Sequence, residues 1–187
     1  MNEHVNRHVL SVLVVNQTGV LSRVAGLFSR RGYSIDSLSV GVTQREDISR
    51  MTIVARGDDA TLEQIKKQLD KLVDVIKVVF LPPESSVYRE LVLVKVNADA
   101  ENRSAISGIV DIFRGGIIDV APDAVTVELT GDQSKIEAFV ELMQPYGIQE
   151  LVRTGLTALQ RGNRTIGLDD IELDEDYSEI GRAPHHG

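Results

Sequence analysis

Between an apolar run, Val9–Val15, and a second apolar pattern beginning at Val20 stand four residues, Asn16-Gln17-Thr18-Gly19. Their types suit the recognition of a small charged ligand. Asn16 offers an amide donor and a carbonyl acceptor on one side chain. Gly19 lacks a Cβ and lets a ligand come close to the main chain. A helix opening at Gly19-Val20 would present unpaired N–H groups and the positive end of its dipole, a natural seat for a carboxylate. With the Asn16 carbonyl taking an ammonium proton, the set fits a free α-amino acid. Leu21, Ile35 or a partner subunit would wall its side chain. The same four residues also make an ordinary strand-to-helix turn, with Thr18 as an N-cap.

Other chemistries find little to build on. The chain has no Cys, which excludes disulfides, thiolate zinc sites and cysteine nucleophiles and fits a reducing compartment. No G-x-S-x-G, P-loop or H-E-x-x-H occurs. His4 and His8 have no nucleophile to serve, and the pair His185-His186 lacks further ligands and reads as solvated. Arg114-Gly115-Gly116 ends a helical pattern instead of opening one, so it is no phosphate cradle. No residue is assigned a catalytic or metal-binding role.

The elements that would position the turn follow from periodicity. Val9–Val15 is apolar at nearly every position, as in a strand buried on both faces. Val20, Leu21, Val24, Ala25, Leu27 and Phe28 fall on one helical stripe, and Gly32 is placed to cap it. Strands are expected over Ser34–Val42 and around Met51, Ile53 and Ala55, separated by a polar turn at Gln44–Asp47. A helix beginning at Asp58-Asp59 carries Leu62, Ile65, Leu69 and Leu72, and a strand at Val75–Leu81 stops at Pro82-Pro83. The order is β-α-β-β-α-β, a ferredoxin-like unit. It recurs as a strand at Leu91–Val96, a helix through Ile106 and Phe113, strands at Ile117–Val120 and Val125–Leu129, a helix through Ile136 and Met143, and a strand at Ile148–Val152. The expected fold is α+β, two tandem ferredoxin-like (βαββαβ) domains at 1–82 and 88–165, with a linker at 83–87. Residues 166–187 are expected to be a disordered acidic tail.

Both helices of such a unit lie on one sheet face. The first strand is apolar on both sides, so its second face needs a cover, expected from a second subunit or the second domain. Charge is uneven as well. The net charge is −8, and residues 166–187 hold seven acids and a single base, leaving the remainder near neutral. Neither that balance nor the few aromatic residues suits nucleic-acid binding. No apolar stretch approaches the roughly 18–20 residues of a membrane span, and the N-terminus lacks a signal-peptide pattern. A cytoplasmic protein without membrane contact is expected.

"LSVLVVNQTGVLSRVAGLFSRRGYSIDSLSV", "SRMTIVARGD" and "LEQIKKQLDKLVDVIKV" resemble the N-terminal ACT domain of the regulatory (small) subunits of acetolactate synthase, also called acetohydroxyacid synthase. "RELVLVKV", "IFRGGIIDV" and "QSKIEAF" resemble the C-terminal domain of that family, so the likeness runs over residues 8–162. It implies a non-catalytic subunit, a homodimer or larger. Such a subunit binds and activates a catalytic (large) subunit and confers feedback inhibition by valine. It carries no cofactor of its own; thiamine diphosphate, Mg and FAD are expected on the catalytic subunit alone. The resemblance implies effector binding by Asn16, Gly19, Val20 and Leu21 of one chain with Ser34 and Ile35 of its partner. Family members often have Asn where this chain has Ser34, so effector affinity or choice would differ here. The alternative is an ACT-domain amino-acid sensor that regulates a different enzyme or transcription.

Overall fold

A computed structural model describes residues 7–168. The chain divides into two units, one formed by Met1–Val87 together with the segment from Ala158 onward, the other by Tyr88–Thr157. In the first unit β1 (Arg7–Val15), α1 (Val20–Arg31), β2 (Ser34–Val42), β3 (Ile48–Arg56), α2 (Asp59–Leu69) and β4 (Val75–Phe80) follow in the expected order. The antiparallel sheet has the strand order β2-β3-β1-β4. β2 and β4 are its edges.

Side-chain alternation sorts the strands into two faces. Leu10, Val12 and Val14 of β1 and Met51, Ile53 and Ala55 of β3 meet Val24, Leu27 and Phe28 of α1 and Leu62, Ile65 and Leu69 of α2. α1 ends where the pattern requires: Gly32 adopts φ +68°, and the next amide, Tyr33, donates to the Phe28 carbonyl at 3.0 Å. α2 begins on Asp58, whose carboxylate accepts from the Thr61 amide at 2.7 Å. Leu72 lies beyond the end of α2 but still packs against the core.

Part of the opposite face of this sheet is covered by the chain's own segment beyond Gln160. Ile166 and Leu168 of the same chain pack on Leu13 and Ile48, beside Ile76 and Val79. The Lys77 ammonium donates to the Ile166 carbonyl at 2.6 Å, and the Arg45 guanidinium to that of Leu168 at 3.3 Å. Farther back the Arg161 amide donates to the Ser85 carbonyl at 2.8 Å. Residues 158–168 therefore form a strap across the sheet, instead of closing a second domain at 165 and starting a tail at 166. Long separation is the reason this escaped the sequence: Ile166 and Leu168 are isolated apolar residues with no period of their own. The acidic residues from Asp169 on, and His185-His186, lie outside the described residues.

In the second unit β5 (Ser86–Asn97), α3 (Arg103–Ile112), β6 (Gly116–Val120), β7 (Ala124–Gly131), α4 (Gln133–Met143) and β8 (Ile148–Arg153) repeat the pattern. Its sheet order is β6-β7-β5-β8; a short β9 (Thr157–Gln160), unforeseen in the sequence, pairs with β5 off that path, and from Ala158 the chain belongs to the first unit. Val92, Val94, Val96, Ile106, Val110, Phe139 and Met143 fill its core. The expected linker is instead a 3-10 turn, Pro83–Ser85, that runs directly into β5, with Ser86 already buried. At the end of α3 the left-handed residue is Arg114 (φ +54°). Gly115 serves close approach there, since a Cβ on it would lie 2.9 Å from the Glu128 carbonyl.

Candidate functional site

β1 delivers Asn16 at its C-terminal end, and α1 opens three residues later from Gly19, whose φ of +86° places it in the left-handed region. No side chain caps α1, so Thr18 does not act as an N-cap. The Val20 amide reaches the Gln17 carbonyl only at 3.5 Å, while the Arg23 amide bonds Gly19 at 3.0 Å. Between them the amides of Leu21 and Ser22 open the helix with no partner of their own inside it. An anion seated there would meet two N–H groups and the positive end of the dipole.

The side chain of Asn16 is engaged on both sides. Its Nδ2 donates to the Glu46 carbonyl at 2.8 Å, and its Oδ1 accepts from the Ser49 hydroxyl at 3.0 Å. The Asn16 backbone amide bonds the Asp47 carbonyl at 2.8 Å. The residue thus ties the β1–α1 turn to the β2–β3 turn. One lone pair of Oδ1 is left for a ligand ammonium, because a carbonyl oxygen accepts twice. Nearby, Arg45 donates to Asp47 from two nitrogens, and those bonds hold the Asp47 carboxyl below its usual range.

Arg23, one turn into α1, lies across Gly19. Its Nη2 donates to Oδ1 of Asp74 at 2.8 Å and its Nε to Oδ2, with the Asp74 side chain almost fully buried. A Cβ on Gly19 would come within 3.0 Å of the Arg23 guanidinium. The absent side chain at position 19 makes room for this arginine as well as for a ligand. Neither Arg23, Ser49 nor Asp74 is marked out by the periodicity of the sequence. One signal was available: Arg23 stands four residues after Gly19, on the same side of the helix.

The six residues expected to bind an effector do not come together in one chain. Asn16, Gly19, Val20 and Leu21 share the turn. Val20 is 3% exposed and turns its side chain into the core, so it can offer a ligand only its main chain. Leu21 is 46% exposed at the mouth. Ser34 and Ile35 begin β2, opposite Arg56 and Ala55, whereas the turn lies by the other end of the sheet, where Val42 pairs with Ser49. Ile35 packs on the core and Ser34 is exposed. Among the described residues no cluster of three or more His, Cys, Asp or Glu could hold a metal, and no helix is long and apolar enough to cross a membrane.

Known proteins resemble the chain over both of its units. Residues 10–77 match the model of the AHAS small subunit-like ACT domain, and residues 89–162 that of the small subunit of acetolactate synthase. A probable acetolactate synthase small subunit from Methanothermobacter thermautotrophicus is 58% identical over 160 residues, covering 85% of this chain and 95% of that protein. The acetolactate synthase small subunit of Mycobacterium bovis is 53% identical, covering 86% and 95%. The crystal structure of the acetolactate synthase small subunit from Thermotoga maritima superposes with a TM-score of 0.81 at 44% identity, covering 86% of this chain and all of that one.

Proposed function

The chain belongs to the acetolactate synthase small-subunit family, and we propose that it activates the catalytic subunit and makes it sensitive to valine. As a small subunit it is the regulatory, non-catalytic companion of a catalytic large subunit. Thiamine diphosphate, magnesium and FAD belong to that large subunit in this reading, and the complex works in the cytoplasm.

The observation that carries the proposal is the division of the site between the two ends of an edge strand. β2 leaves one side unpaired by any strand of its own sheet. A second copy pairing antiparallel along β2 would carry the partner's Ser34 and Ile35 to the end where Gly19 lies. Val40 and Val42, 47% and 58% exposed on the helix-bearing face, would be covered in that pairing together with Leu21. The α1 amides then hold the effector carboxylate, the free lone pair of Asn16 takes an ammonium proton, and the apolar groups surround an isopropyl side chain. Serine at position 34 is shorter than asparagine, and a bridging water makes up the distance.

Valine binding at a shared site favours one arrangement of the pair. It shifts the catalytic subunit only by its differential affinity for the two arrangements, typically about 1–3 kcal/mol. Calorimetric titration of valine, leucine and isoleucine into the full chain tests the sensor. Heat with valine, lost on Asn16→Ala, is expected; no heat with any of the three at millimolar concentration sinks the reading. Turnover of the catalytic subunit should rise when this chain is added and fall again with valine.

A further inference from the structure

The strap and the sheet it crosses do not close fully against each other. Between them lies a cavity of about 340 Å³, bounded by Ser11 and Arg50 of the sheet, Val79 at its edge, and Leu159, Arg164 and Ile166 of the strap. It belongs to the first unit alone and lies on the face opposite both helices. Its volume is in the range of small-molecule sites.

Two buried polar atoms at this cavity lack partners among the described residues. Ser11 is completely buried, in the middle of β1 between Thr52 and Val79, and its hydroxyl makes no hydrogen bond among the described residues. Nε of Arg50 is also buried and unpaired. Burial lowers the tendency of Arg50 to hold its charge. A buried donor or cation left without a partner costs free energy that native structures seldom leave uncompensated. None of the described residues lining the cavity is Asp or Glu, whereas two are arginine. Of the adjoining cations, Lys77 is directed to the Ile166 carbonyl, and Arg45 is shared between the Asp47 carboxylate and the Leu168 carbonyl.

We propose that this cavity is a second ligand site, separate from the β1–α1 turn, which takes a small carboxylate with a short apolar body and no ammonium group. The guanidinium groups of Arg50 and Arg164 bind the carboxylate, the hydroxyl of Ser11 donates to it, and Val79, Leu159 and Ile166 enclose the hydrocarbon. An α-amino acid is refused because its ammonium would face two arginines, with no Asp or Glu among the described lining residues to balance it. The two sites therefore divide small acids by the presence of the amino group. Because the strap is one wall, occupancy fastens residues 158–168 to the sheet.

Two probes with one carbon skeleton test the assignment on the full chain. 3-Methylbutanoate and valine differ by the ammonium group, and inorganic phosphate reports on anions in general. Calorimetry should detect 3-methylbutanoate, and Arg50→Gln and Arg164→Gln should each weaken it about tenfold or more, as loss of a charge-assisted contact does. The same variants should leave any heat from valine unchanged, and the strap variant keeps the test readable if the sheet variant folds poorly. Circular dichroism establishes folding of both. Absence of 3-methylbutanoate binding at millimolar concentration overturns the proposal. So does binding undiminished in both folded variants, or a preference for phosphate. None of these outcomes depends on whether valine binds at the turn.

Discussion

The hydroxyl of Ser49 donates to the side-chain oxygen of Asn16 across 3.0 Å, from a strand that begins 32 residues after Asn16. With the Glu46 carbonyl on the other side of the same amide, it fixes the orientation of the Asn16 side chain. The amide is oriented before any ligand arrives.

Ser49→Ala should therefore disturb recognition more than folding. Loss of one partly buried hydrogen bond costs about 1 kcal/mol of stability. Freed on one side, the Asn16 amide can rotate, and valine affinity should fall by about three- to tenfold, a loss of similar size. Thermal denaturation and calorimetry measure the two quantities on one sample. Unchanged valine affinity would show that the orientation of Asn16 is irrelevant to binding.

Two glycines of α1 should respond in opposite directions. Gly19→Ala places a Cβ at φ +86° and within 3.0 Å of Arg23, so a loss of about 1–2 kcal/mol is expected from the left-handed conformation alone. Gly26→Ala meets only the end of the Arg30 side chain, at 3.2 Å. It should stabilise the helix by up to about 1 kcal/mol. If Gly26→Ala instead weakens self-association in sedimentation experiments, position 26 is a close approach between copies.

Arg23→Gln leaves the carboxylate of Asp74 almost buried without its bidentate partner. Arg23 is itself about half exposed, and solvent screening holds the expected loss to about 1–2 kcal/mol. Asp74→Asn with Arg23→Gln should recover part of it, since the uncompensated charge is gone. A double-mutant cycle by denaturant unfolding reads the coupling.

The strap predicts a local dependence on its apolar contacts. Ile166 is 6% exposed against Leu13 and Ile48. Ile166→Ala should destabilise the chain by about 2 kcal/mol. Hydrogen exchange should then quicken at the amides of residues 158–168 before those of β1.

Acid should loosen α2 and α4 together. Asp58 and Asp132 cap them, and hydrogen bonds from Thr61 and Lys135 respectively hold both carboxyls below the ordinary value of 3.8. A depressed folded-state pKa gives stabilisation that is complete above 3.8 and is lost as pH falls through the lowered value. Asparagine caps equally well without titrating. Asp58→Asn with Asp132→Asn should flatten the acid limb below about pH 4 in circular dichroism, and an unaltered limb would assign it to other carboxylates.

Most of the element order was legible because it rests on neighbours in the chain. The apolar periods of β1, α1 and β3, the capping role of Gly32 and Asp58, and the second βαββαβ unit all follow from contacts within a few residues or from which face must be buried. The missing Cβ of Gly19 could be read the same way, but not its φ of +86°, since an N-cap ordinarily lies in the β region. What only the tertiary structure decided lies at long separation. Ser49 reaches Asn16 across 33 positions and Asp74 reaches Arg23 across 51. Lys77 holds the Ile166 carbonyl across 89. A polar side chain carries no mark of its distant partner, and two isolated apolar residues near the end of a chain carry no period. Closure of the sheet face by the strap, and the cavity left beneath it, exist because the fold brings those groups together.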